Sequence, residues 1–412
     1  MRKFAYFAAS AFALAISSNA HATAEKVLHD FHGGKDVMTP QAPLVVDSAG
    51  NLYGTSYAGG LYGNGTVFEL THVGGHGWTE QLLYSFTGSG TDGAHAQSAV
   101  TIDSAGNLYG TTSGGGTQGG GTAWKLVKPV GNGGWREVIL HAFGHGTDGN
   151  SPHGKLLLAA DGSLYGTTLF GGMTFGGTVF KLAHGATGWT ETLLYQFTGT
   201  NDGNLCASTL TTDAAGALYG STIAGGSTNN GMVFKLTPGP AGQTAWNEQV
   251  LYSFDAPNDG HGPQTGVVFD THGNLFGTTS SGGTSAYGTV FELTPPAAGG
   301  TAWAEQVLHN FAYQVEGSPA IDLPVFDASG NLWGTSAGGT AHEGAVWEMT
   351  PPTAGNGWAL TIVHNFTGAP DGSGPNGLTL LHPNLIGTTQ TGGISKVVNG
   401  TQGQGALFEI FR

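Results

Sequence analysis

Two histidines and a lysine are the residues of this sequence best suited to acid–base chemistry. His153 and Lys155 stand two apart in SPHGK (151–155), and His261 lies in DGHGP (259–263). A histidine can take the proton beside a uronate carboxylate while a neighbouring lysine offsets the charge that develops, which is the chemistry of a polysaccharide lyase. Around them sit rings that break the local pattern: Tyr57, Tyr62, Phe170, Phe175 and Tyr287, with His95 and His342. Flat aromatic faces beside polar groups suit sugar rings, whose C–H faces stack while their hydroxyls hydrogen-bond. Glu343 and the scarce cations Lys35 and Lys396 fall in the same loops. The competing reading of each loop histidine is a solvated or turn-bonded side chain. The chain contains no G-x-S-x-G, H-E-x-x-H or paired-cysteine signature to sharpen the choice.

What positions these residues is a repeat. Aligning on the glycine of NLYGT gives Gly54, Gly110, Gly166, Gly220, Gly277, Gly334 and Gly387, with spacings of 56, 56, 54, 57, 57 and 53 residues. A fixed period of this size marks a solenoid or a propeller. Each unit holds four short segments rich in β-branched and aromatic residues, punctuated by Gly, Asp and Asn: VTIDSAG, NLYGTT, GTVFEL and WTEQLLYSF in their several copies. Alternation favours strands throughout. Seven units of four strands predict an all-β, seven-bladed propeller, the radial architecture that leaves only short, protected edges. The ends are complementary. EKVLHDF (25–31) matches the outer strand LLYSF without the rest of its unit, and GALFEI (405–410) lacks the strand that should follow. An N-terminal strand closing the last blade is therefore expected; an open β-solenoid needs no such pair.

Within the repeat, drift at the aromatic slot from Tyr53, Tyr109, Tyr165 and Tyr219 through Phe276 and Trp333 to Ile386 suggests packing between blades rather than hydrogen bonding. The glycine after it suggests close backbone approach or a bulge. The loop after the second strand and the crossover to the next blade share one face, and these longer loops make it the candidate face. The crossovers supply a ring of acids: Asp36, Asp92, Asp148, Asp202, Asp259, Glu316 and Asp371. Ca²⁺ is one reading, but an Asp before Gly more simply accepts bonds from its own turn, so no cofactor is expected. His29, His141, His309 and His364 share one register with Tyr84, Tyr195 and Tyr252 and read as structural.

Residues 1–22 read as a secretory signal peptide, with Arg2 and Lys3, an apolar run from Phe4 to Ile16, and Ala20-His21-Ala22. The remaining 23–412 are expected to form one propeller domain, exported to the extracellular space or the periplasm. Removing Arg2 and Lys3 leaves 27 acidic against 10 basic side chains, a net −17, which disfavours nucleic acid. No membrane span is expected, since no other run is long and apolar enough. Cys206 is the single cysteine, so no internal disulfide forms. A monomer is expected.

With the units laid out, the string DG…P…D…GNLYGTT…GG…GTVFKLT…LYSF resembles the GloVer and HAF-type tandem repeats of exported bacterial proteins; His141-Ala142-Phe143 spells the second name. The resemblance covers nearly all of 23–412 and implies an extracellular repeat protein, displayed or secreted. It supplies no catalytic motif. Repeat six departs with Glu316 for Asp, and repeat seven replaces its turn with LLHPN (380–384). Three functions remain open: binding an extracellular polysaccharide across the loop-rich face, a lyase or hydrolase on that face, and adhesion. The long seventh-repeat loop (392–405) is expected to fold over it.

Overall fold

A computed structural model describes residues 25–412 apart from 75–76, 132, 241–243, 245, 298–299, 301, 320–321, 354–356 and 394–402. The expected signal segment and most of the 392–405 loop, with Lys396, lie outside the described residues. The described chain is strands and turns without helix, arranged as seven small antiparallel sheets in a ring. It is a seven-bladed β-propeller. Blade three shows the plan: Gly149–Pro152 and Leu157–Leu158 form the broken inner strand, followed by Leu164–Gly171, Thr178–Gly185 and the outer Gly188–Gln196.

The seventh blade is shared between the two ends. Glu25–Asp30 pairs antiparallel with Ala406–Ile410, completing the sheet begun by Ser373–Leu381 and Asn384–Thr391. Phe31 is buried beside Phe68 and Leu407, so the closure also joins blade seven to blade one through the core.

The register explains the repeated NLYGT. In each blade its glycine stands opposite an aromatic of the third strand: Gly54 and Phe68, Gly110 and Trp124, Gly166 and Phe180, and so on to Gly387 and Phe408. A Cβ on any of these glycines would overlap that ring. The glycine thus makes room for a side chain, not for a neighbouring backbone, and it is not bulged. The bulges fall mostly between the third and outer strands instead, as between Val67 and Phe68 or Val179 and Phe180, with one between the first two strands of blade seven at Asn376/Leu378. The next residue ties blades together: Thr55 Oγ1 donates to the carbonyl of Ser98 at 2.9 Å and Thr167 Oγ1 to that of Ser208 at 2.8 Å.

The aromatic slot corrects a second expectation, because it both packs and bonds. Tyr53 meets Trp135 of the next blade edge-on at 6.4 Å, and Tyr109 meets Trp189 likewise. The hydroxyls of Tyr109 and Tyr219 donate to Asp103 and Asp213 at 3.0 and 2.9 Å, and Trp333 Nε1 donates to Asp327 at 2.9 Å. The same carboxylates accept the N–H groups of their own hairpins, as Asp47 does from Ala49 and Asn51.

Two stability predictions follow from this packing. Gly166→Ala should cost about 2–3 kcal/mol in urea unfolding, because Phe180 and Leu156 must move aside for one methyl. Removing residues 25–31 should lower the melting temperature by about 10 °C or more, and an unchanged melt would refute the closure.

Candidate functional site

The loop-rich face is held by one backbone device. The residue fifteen before the repeat glycine is left-handed in five blades: Thr39 (φ 56°), His95 (63°), Ser151 (55°), Leu205 (60°) and Gly262 (66°). That turn aims its N–H at the preceding blade, as His95 N to the Asn64 carbonyl and Ser151 N to the Gly120 carbonyl, both at 2.8 Å. The loops of this face are therefore fastened to one another in this way at six of the seven seams, Pro319 having no N–H to give at the other.

Behind each seam lies an acid cluster. His141, His309 and His364 bond Asp148, Glu316 and Asp371 at 2.8, 2.9 and 3.0 Å, and Tyr195 and Tyr252 donate to Asp202 and Asp259 at 3.1 and 2.7 Å. His29 bonds Glu80 of the next blade at 3.0 Å instead. The crossover acids also accept turn N–H groups, as Asp92 does from Thr87 and Gly93 at 2.6 and 2.7 Å. Among the described residues no group of three His, Cys, Asp or Glu is arranged to hold a metal.

The outer strand of the next blade adds a second carboxyl beside six of these acids, Glu25 beside Asp371 among them, where burial raises it. Burial and the neighbouring carboxylate push Glu137 up to about 8, and Glu80, Glu191, Glu248 and Glu305 up to about 7. At each of these six seams the Glu keeps its proton to a higher pH than an unfolded Glu, which loses it near 4.5.

The central channel, where all seven inner strands meet, encloses a cavity of about 680 Å³. His153 and Lys155 line it together from blade three. Burial holds both below their ordinary values. His261 does not line it; it pairs with Ser281 at the blade-five crossover. Sequence reasoning missed the rest of this layer. Gln41, Gln97 and Gln264 occupy the same register slot as His153, each four residues before the residue that pairs with its blade's aromatic. The signal was readable in PQA, AQS and PQT beside PHG. Asp322, also on the lining, accepts the Gly377 N–H at 2.6 Å, and burial pushes it up to about 7.

The aromatics expected on the face divide into two groups. Tyr57 stacks on His95 across the first seam at 4.4 Å and 21°, with His95 Nδ1 3.1 Å from the Tyr57 carbonyl oxygen. His342 stacks on Tyr313 at 5.7 Å, and Tyr313 on Tyr287 at 5.2 Å. Tyr313 was missed, although it breaks the repeat in NFAYQVEG. Tyr62, Phe170 and Phe175 are open, at 59%, 42% and 73% exposure, joined by Leu61 and Met173.

Geometry of this kind defines a class: a repeat-built propeller with a loop-rich face and an open central channel. The chain belongs to the Gloeobacter/Verrucomicrobia repeat family, whose model matches residues 10–213 and 127–323. No curated protein matches it. Among solved structures it is similar to a fungal alcohol oxidase of the AA5 family in complex with copper, at 15% identity, TM-score 0.53, and 92% and 76% of the two chains covered. It is also similar to a Bacteroides uniformis protein assigned as a 6-phosphogluconolactonase, at 13% identity, TM-score 0.52, and 82% and 88% covered. A third is the extracellular domain of a B. thetaiotaomicron protein assigned as a one-component system, at 14% identity and TM-score 0.50, covering 90% of this chain and 51% of that one. These likenesses show the fold alone. Among the described residues no helix is long and apolar enough to cross a membrane.

The acid pairs generate a pH prediction with a definite sign. Each Glu is raised in the folded state, so its contribution is complete below about 4.5 and is lost as pH rises through 7 to 8. Asp36 and Asp371, held below their ordinary value chiefly by hydrogen bonds that outweigh burial, work the other way and are lost in acid. The melting temperature should peak near pH 5 and fall by about 5 °C or more by pH 8.5. Glu137→Gln should raise it at pH 8.5 and leave it unchanged at pH 5. A flat profile for both proteins would refute the shared proton.

Proposed function

We propose that the protein is an exported propeller that binds a polysaccharide across its loop-rich face, with Tyr62, Phe170, Phe175 and Tyr287 as stacking platforms. One observation carries this reading. Phe175 is left-handed (φ 61°) and 73% exposed, at the slot nine residues after the repeat glycine that is left-handed in five blades and otherwise holds Gly63, Gly119, Asn229 and Ala286, so a bulky ring stands only here. A left-handed non-glycine residue costs roughly 1–2 kcal/mol, and an exposed ring recovers none of it by packing. Strain kept at an exposed aromatic points to a use for that ring. Phe170 and Met173 in the same loop widen the apolar surface.

A second reading rests on His153 and Lys155 sharing the channel wall: a lyase acting there, with His153 as base. The position of His261 outside the channel lining removes one of the two histidines that reading started from. Adhesion through the same face is the third.

Affinity electrophoresis through gels containing neutral or acidic polysaccharides tests the proposal. The protein should be retarded by at least one polymer, and Phe175→Gly should weaken that retardation about five-fold, on the scale of one stacking contact. The same substitution should leave the melting temperature unchanged or raise it. No retardation by any polymer, or full retardation of Phe175→Gly and Phe170→Ala alike, would remove the proposal. A polymer shortened by the protein, with the shortening lost in His153→Ala, would establish the lyase instead.

A further inference from the structure

The channel below the loop-rich face has a chemistry of its own. Its cavity of about 680 Å³ lies within the ~300–1,000 Å³ usual for small-molecule sites. The lining is layered along the inner strands. Gln41, Gln97, His153 and Gln264 form a hydrogen-bonding layer toward the loop-rich end. Two residues further along blade three stands Lys155. Beyond it the wall is hydrocarbon: Val45, Val268, Phe269, Val325, Phe326 and Leu380 line the cavity and are half-buried rather than sealed.

Lys155 is the anomaly. In the other blades its register slot holds Pro43, Ala99, Thr209, Gly266, Leu323 and Gly377, so the ring closes without a cation there. Other lysines of the blades are provided for. Lys181 and Lys235 each lie over a tyrosine ring at 5.4 and 5.1 Å and 3.6 Å from an aspartate, and Lys125 lies 5.0 Å from the centre of Tyr109. Among the described residues the Lys155 ammonium has no acceptor and no anionic partner, while burial lowers its pKa. Lys155 is half-buried on the channel wall, and an ammonium held among hydrocarbon walls is stabilised when an anion joins it. The only carboxyl on the described lining, Asp322, belongs to blade six, three blades round the ring, and is taken up by the Gly377 N–H.

We propose that the channel is a binding site for a small monocarboxylate with an apolar body, its carboxylate on Lys155 and its body among Val45, Val268, Phe269, Val325 and Phe326. One ammonium matches one negative charge. A dianion such as a phosphate ester would bring a second charge into a chain of formal net charge −15, with Asp322 on the same lining. A sugar would fill the hydrocarbon layer with hydroxyls that find no partner. The site is independent of polysaccharide binding at the loop tips, and the two fail separately.

Calorimetric titration of the protein with 4-phenylbutyrate, 4-phenylbutanol and 4-phenylbutyl phosphate is the test. The acid should bind one to one, with the alcohol and the phosphate each about ten-fold weaker or worse. Lys155→Met should erase the preference for acid over alcohol while still binding the alcohol, which reports an intact channel. Lys155→Arg should restore part of the preference. Phe175→Gly should bind the acid as the unmodified protein does. The proposal is overturned if acid and alcohol bind alike, if no probe binds at millimolar concentration, or if the phosphate binds most tightly. It is equally overturned if Lys155→Met keeps the acid's affinity, or if Phe175→Gly loses it and so places the probe at the loop tips.

Discussion

The overlap between a glycine of the second strand and an aromatic of the third is the contact on which each blade depends. From Gly54 under Phe68 to Gly387 under Phe408, the ring fills the volume a side chain would have taken, and the sheet packs against its neighbour at that depth. The ring-and-glycine pair is buried in every blade, with Phe68, Trp124, Phe180, Phe234, Phe291, Trp347 and Phe408 essentially inaccessible. Without a disulfide, and with Cys206 buried and alone, the ring of blades is held by this packing and by the hydroxyl ties of Thr55 and Thr167. Apolar burial and dense packing are the main terms available to such a chain.

Seven near-identical seams have a consequence for electrostatics. A carboxyl of one blade is set beside a crossover acid of the one before it, and where a Glu faces an Asp the Glu keeps its proton up to about pH 7 to 8. Blade six differs: its outer strand carries Leu360 where the others carry glutamate, and Glu316 is satisfied by His309 and the Ala312 N–H. The histidines and tyrosines of the outer strand belong to this arrangement. In five of the seven blades their polar tips hold the crossover acid, while His29 and Tyr84 bond Glu80 and Glu137 of the next blade, and the acids hold the turns that begin the next blade. The face that carries the candidate site is thereby kept in place from behind.

Repetition makes departures from it informative. Phe175 stands where the other left-handed loops have Gly, Asn or Ala, and Lys155 where the other blades have an uncharged residue, and both carry a cost there. Both belong to blade three, one at the loop tip and one on the channel wall. His153 departs less, since its slot holds a polar side chain in several blades. His95 and His342 are absorbed in stacks with Tyr57 and Tyr313, which give them a structural occupation that the open ring of Phe175 lacks.

The architecture was legible because periodicity is local information. The spacing of the glycines, the four strand-like segments and the complementary ends sufficed for seven blades and their closure, and the family followed from the same string. The role of the glycine was not legible, because whether a Cβ is replaced by backbone or by a ring depends on cross-strand register, which one strand's sequence does not contain. The hydrogen bonds of Tyr109 and Tyr219 were hidden for the same reason. The candidate site was half visible. The aromatics of the loops could be found as breaks in the repeat, but Tyr313 lay in a crossover with no consensus. The separation of His153 and Lys155 from His261 required three dimensions, since residues on neighbouring slots of different blades converge only when the ring closes. Sequence alone determined the number, order and character of the elements. Tertiary structure decided which departures meet in one cavity, because distance around a propeller is set by the ring and not by the chain.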